Sequence, residues 1–151
     1  MFYKKRIENQ NLKGDEGFNF TEVIVSIAII LVLSAFVGII SIRYIDKARH
    51  AAARSQIDTF VLALEAYYID CGRYPTTEQG LQALKDKPSI EPISSNWAGP
   101  YIYKNVPNDP WGNPYEYTVP GPNGLPFSIR SFGADGREGG TDKDADIESW
   151  S

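Results

Sequence analysis

The chain has 151 residues, 15 Lys and Arg against 19 Asp and Glu, a net charge of −4 and a pI near 5.0. That length predicts one globular domain, and the absence of a Lys/Arg cluster after Arg6 excludes nucleic acid as the main partner, since phosphate binding needs a basic face. A single cysteine, Cys71, excludes an intrachain disulfide but not an oxidising compartment.

The chain opens with Lys4, Lys5 and Arg6, passes through Gly17-Phe18-Asn19-Phe20-Thr21-Glu22, and enters an uncharged run from Val23 to Ile42. About 20 apolar residues is the length of a bilayer-spanning helix. A secretory signal would have a shorter apolar region, about 7–15 residues, closed by a small-residue cleavage site; none follows before Arg43. The basic residues keep the start cytoplasmic and send the C-terminal part across the membrane. Glu22 stands against this run. A carboxylate there is either a functional charge or a glutamate snorkelling at the membrane edge.

From Arg43 the pattern becomes amphipathic. Ile57, Phe60, Val61, Leu64, Tyr67 and Tyr68 recur at three- and four-residue spacing, with Asp46, Lys47, Arg49, Arg54, Asp58 and Glu65 as polar positions. Ala48 and Ala51 to Ala53 favour helix. No Pro interrupts residues 18–74, so one helix from about 18 to 70 is predicted, roughly 80 Å long. His50, the only histidine, falls on this stem in a solvated or subunit-facing role. Cys71 reads as a small, partly buried residue at the helix end.

Tyr74-Pro75-Thr76-Thr77-Glu78-Gln79-Gly80-Leu81-Gln82-Ala83-Leu84 predicts a second helix, with Thr76 as N-cap, Gln79 as its reciprocal partner, and Pro88 and Pro92 beyond its end. Pro107 to Pro114 and Pro120 to Gly124 are turns. Tyr115-Glu116-Tyr117 starts one strand, and alternation from Phe127 to Phe132 marks its antiparallel partner. Trp111 and the tyrosines read as core. The fold class is α+β: a long N-terminal helix on a small head with a short helix and a small antiparallel sheet.

The C-terminal stretch SFGADGR (131–137) followed by Asp142-Lys143-Asp144-Ala145-Asp146 collects carboxylates in a Gly-rich loop. Such oxygen donors suit Ca²⁺, although the spacing is no EF-hand. From the residues alone, a calcium site and a solvated acidic loop stand as equal readings.

Three strings, GFNFTE before the apolar run, YPTTEQGLQAL and DPWGNPYEY, resemble the type IV pilin-like superfamily, and the last two resemble specifically the major pseudopilins of type II secretion systems. The resemblance implies a leader at 1–17, cut after Gly17 by a prepilin peptidase that N-methylates Phe18. It further implies a membrane and assembly segment at 18–42 and a periplasmic head at 43–151. Glu22 would pair with the α-amine of a neighbouring Phe18 during assembly, since a buried charge is tolerable only when paired. Asp15 and Glu16 are acidic where the family has neutral or basic residues. The family binds one Ca²⁺ in the C-terminal loop; by that match Asp135 and Asp146 are side-chain ligands, and Phe132 and Arg137 give carbonyls. Ala145 stands where the family often has a carboxylate, leaving Asp142 and Asp144 both as candidates. The implied protein is no enzyme but a homopolymer in the inner membrane and periplasm. Its partners would be minor pseudopilins and an assembly platform with its ATPase, and its filament would drive folded proteins through an outer-membrane secretin. A type IV pilin is the neighbouring reading, though it would more often carry a C-terminal cysteine pair. A membrane-anchored periplasmic hydrolase is the remote one, lacking a nucleophile–base pair in the sequence.

Overall fold

The computed structural model describes residues 19–150, apart from the side chains of residues 36–43. Contacts divide the chain into two units between Ile40 and Ser41. The predicted leader, with Gly17 and Phe18, lies outside the described residues.

Helix α1 spans Phe20–Cys71, 52 residues, close to the predicted bounds. Its start is a reciprocal cap. Asn19 Oδ1 accepts from the Thr21 amide at 3.4 Å, and the Asn19 amide donates to Glu22 Oε2 at 3.1 Å. Orphan donors of the first turn are thereby satisfied, as in any box with Glu or Gln at the third helical position. In this first unit every described side chain from Asn19 to Ala35 is exposed, Phe20 to 77%. Among the described residues no helix is long and apolar enough to cross a membrane; the predicted span Val23–Ile42 runs into the stretch whose side chains lie outside the description.

In the second unit α1 carries the core. Ala53, Ile57, Phe60, Leu64 and Tyr67 have no exposed surface, at the predicted spacing. Each large member contributes about 1.5–3 kcal/mol by leaving water. Val61 is half-buried and Tyr68 is exposed, so the stripe is narrower than the sequence pattern. The helix stops at Gly72, whose amide closes on Tyr68 O at 2.8 Å.

The head's sheet has three antiparallel strands in the order β1 (Glu116–Thr118), β2 (Ser128–Ser131) and β3 (Ile147–Glu148). Tyr117 faces Ile129, and Arg130 faces Glu116 on one side and Glu148 on the other. Phe127, Ile129 and Ser131 are buried as the alternation predicted. Ser128, expected on the outer face, is also buried, because its hydroxyl hydrogen-bonds that of Thr118 at 2.6 Å. β3 was not expected; two residues carry no periodic signal.

The predicted second helix is replaced by a turn at residues 77–80 and a 3-10 helix, Leu81–Leu84. Both predicted capping bonds form: the Gln79 amide donates to Thr76 Oγ1 at 3.2 Å, and the Thr76 amide to Gln79 Oε1 at 3.0 Å. They close only one turn because Gly80 takes φ +61°, where glycine is favoured and an α-helix cannot continue. Leu81, Ala83 and Leu84 still reach the core. Cys71 is half-buried, as predicted. His50 departs from a solvated stem position: its ring packs edge-on to Trp111, centroids 4.9 Å apart, with Nε2 buried.

Burial pushes the phenols of Tyr74 and Tyr115 up to about 12, helped by Glu65 and Asp109 respectively, and raises Tyr117 further. The folded chain therefore holds these protons more tightly than the unfolded chain, whose phenols titrate near 10. Stability should be level below pH ~9 and fall as pH rises from about 10 toward 12. Denaturant unfolding across that range, followed by tyrosinate absorbance at 295 nm, checks this; a midpoint that does not move would contradict it.

Candidate functional site

The acidic C-terminal loop is built onto the sheet by a turn that the sequence marked only as a turn. Asp109 is 4% exposed. Its Oδ1 accepts from the amides of Trp111 at 3.0 Å and Asn113 at 2.8 Å, and its Oδ2 accepts from Ser131 Oγ at 2.7 Å. Asn113 Nδ2 then donates to Gly133 O at 3.2 Å. One buried carboxylate so joins the DPWGNP turn to the end of β2 and the entrance of the loop.

Within the loop Gly133 has φ +63°, and a Cβ there would meet Ala145 O at 2.9 Å, so the two limbs approach through a position only glycine fits. The Ala134 amide donates to Lys143 O at 3.1 Å. Asp142–Asp144 forms a 3-10 turn, with Asp142 at φ +54°. Asp135 Oδ1 accepts from the Arg137 amide at 3.1 Å, and Asp146 Oδ2 from the Gly139 amide at 3.0 Å. Asp135 and Asp142 are exposed, while Asp144 and Asp146 are half-buried. Among the described residues no three His, Cys, Asp or Glu side chains gather as a metal-holding group. The predicted carboxylates thus share one loop without converging.

One atom does fit a cation: Asp146 Oδ1 is buried and has no hydrogen-bond partner. An unpaired buried carboxylate oxygen is costly, and a hard cation satisfies it with the same chemistry as an N–H donor. Phe132 and Arg137, predicted as carbonyl donors, flank the same loop.

Arg130 is the residue that sequence reasoning missed. Its Nε and Nη2 donate to Glu116 Oε2 at 3.1 and 2.9 Å, and its Nη1 to Glu138 Oε1 at 2.8 Å. Asp146 Oδ2 and Glu148 Oε1 lie 3.9 and 4.0 Å from Nη1, and the guanidinium sits 4.8 Å from the Phe132 ring centroid. Partial burial works against its charge, but the hydrogen bonds to Glu138 and Glu116 outweigh it and hold the guanidinium above its ordinary pKa. Alternation placed Arg130 on the outer face; nothing in its neighbours pointed to carboxylates 14 residues before it and up to 18 after.

Residues 41–150 match the model of the family described as type II secretion system (T2SS), protein G. The chain belongs to this family. It is 43% identical over 138 residues to the type II secretion system core protein G of Pseudomonas aeruginosa, covering 91% of this chain and 96% of that one. It is 38% identical over 141 residues to the core protein G of Vibrio cholerae, covering 93% and 95%. Among solved structures it resembles the major pseudopilin of the type 2 secretion system of enterohaemorrhagic Escherichia coli. That match has a TM-score of 0.60 at 39% identity, over 70% of this chain and 89% of the other. The family and the α+β pseudopilin fold are those the three sequence strings indicated. Protein G is a structural component of its secretion system, and the turn and loop described above belong to the matched head.

Asp109→Ala should lower head stability by about 3 kcal/mol, since one change strands three donors. Ser131→Ala, which strands only Asp109 Oδ2, should cost about 1 kcal/mol. Denaturant midpoints of the two variants give the comparison; equal losses would contradict the hub.

Proposed function

We propose that the chain is the major structural subunit of a type II secretion pseudopilus, anchored by its N-terminal helix and polymerising in the periplasm beneath a secretin. Membership of the protein G family supports it, and the observation that carries it is the exposed, uncharged first stretch of α1. Every described side chain there, Val23 to Ala35, meets solvent in a single chain. Apolar surface on that scale is covered by lipid, by other subunits, or by each in turn. The subunit works by assembly and not by catalysis. Its partners are further copies of itself, minor pseudopilins, a prepilin peptidase that cuts between Gly17 and Phe18, and the inner-membrane platform with its ATPase.

Glu22 has two roles that alanine alone cannot separate. It back-bonds to the Asn19 amide, and in the assembly reading its charge neutralises the α-amine of a neighbouring Phe18. Gln at this position keeps the capping box but removes the charge. Glu22→Gln and Glu22→Ala should therefore both be processed normally and both fail to form filaments. Filaments from Glu22→Gln alone would reduce Glu22 to a cap.

The acidic loop is proposed to hold one Ca²⁺ through Asp146 and Asp135, with Asp142 or Asp144 and the carbonyls of Phe132 and Arg137 completing an oxygen shell. The unpartnered Asp146 Oδ1 supports this reading. A bound cation would close a disulfide-free head by charge neutralisation and ligand linkage. With Ca²⁺ at about 100 times its dissociation constant the head gains roughly 2.7 kcal/mol, so chelation should lower its melting temperature by about 10 °C. Melts that coincide with and without Ca²⁺, or an Asp146→Asn variant that responds like the parent, would remove the metal.

A further inference from the structure

We propose that Arg130 is a positioning residue for the acidic loop, a resident cation that holds residues 133–146 folded on the sheet before any metal arrives. The cross-strand register sets Glu116, Arg130 and Glu148 in one row across β1, β2 and β3. From the centre of that row the guanidinium reaches both limbs of the loop, Glu138 on the outgoing limb and Asp146 on the returning one. Its side chain is 19% exposed and that of Asp146 12%, so this contact is less screened than a surface pair, whereas Glu138 is 77% exposed and meets the guanidinium at the surface. The fork geometry matters. Nε and Nη2 are both used on Glu116, which locks the guanidinium plane and aims Nη1 at the loop. Phe132 beneath the plane fixes it from below.

The charges explain why this clamp and a metal are complementary. One guanidinium faces four carboxylates within 4 Å, two of them, Glu138 and Asp146, on the loop. Arg130 approaches Asp146 from the Oδ2 side, where Gly139 also donates, and leaves the buried Oδ1 unpartnered. The arginine thus orients Asp146 with one oxygen held and the other open. Without it, Glu138 and Asp146 lose the cation that joins them to the sheet, and the loop keeps only its hydrogen bonds, Ala134 to Lys143, Asn113 to Gly133 and Gly139 to Asp146, until a divalent ion binds. This part of the inference rests on the calcium reading above; the clamp itself does not.

Limited trypsin digestion of the full chain in detergent micelles tests both. Trypsin has sites inside the loop at Arg137 and Lys143, and cleavage of a transiently opened segment reports its open population. Cuts are mapped by intact mass, in EDTA and in Ca²⁺. In EDTA, Arg130→Gln should be cut in the loop about tenfold faster than the parent, with cutting after Arg54 and Lys85 unchanged. Ca²⁺ should restore protection. Arg130→Lys, which keeps the charge without the fork, should fall between the two, and Glu138→Gln should accelerate loop cutting alone; it also serves if Arg130→Gln does not fold. Loop cutting of Arg130→Gln and Glu138→Gln at the parental rate in EDTA overturns the clamp, whatever Ca²⁺ does. Faster cutting in the variants with no protection by Ca²⁺ in any protein upholds the clamp and removes the metal.

Discussion

The head depends on one buried stripe of one helix. Its strands have three, four and two residues, too little sheet to be stable unless packed against something apolar. The stripe from Ala53 through Ile57, Phe60 and Leu64 to Tyr67 supplies that surface, and Tyr117, Phe127, Ile129 and Ile147 belong to the same cluster. Sheet and helix therefore fold as one cooperative body. A mutation in either should be felt as a loss of the whole head, not of a local element.

Between the helix and the sheet, residues 85–115 run with no regular secondary structure. Backbone groups in such a segment still need partners when buried, and side chains provide them. Gln79 Nε2 donates to the carbonyls of Ile90 and Pro92, Arg73 adds a second bond to Pro92 O, and Trp97 Nε1 donates to Ala83 O. Tyr101 OH donates to Asp70 Oδ2, and Tyr117 OH to Pro75 O. The aromatic richness of so small a head has this double use: ring surface for the core and a polar tip to hold the loop. Asp109 performs the same task for the next turn. The acidic loop is therefore joined to a base that is already fixed.

What the sequence made legible was whatever repeats at a short spacing. Helix α1 declared itself through an unbroken apolar run in its first half, three- and four-residue recurrence in its second and the lack of Pro throughout, and the β1–β2 pair through alternation and turn residues. The helix expected at 76–84 shows the limit of local rules. Its capping bonds form as Thr76 and Gln79 foretold, yet Gly80 at positive φ turns the chain away after one turn. β3 was invisible because two residues have no period. In the candidate site, the loop and its carboxylates were visible as composition, while their organiser was not. Asp109 reaches a partner 22 residues away and Arg130 partners 14 residues before it and up to 18 after, distances set by sheet register and by a turn, which no short window of sequence contains.

In the function proposed above, the apolar N-terminal segment is the means of assembly, and that role would begin with a cut before Phe18. The most direct measurement is the intact mass and N-terminal sequence of the chain extracted from membranes of cells with active prepilin peptidase. The account predicts a single species that begins at Phe18. A chain that retains Met1 in those cells would contradict it and leave an ordinary membrane-anchored protein.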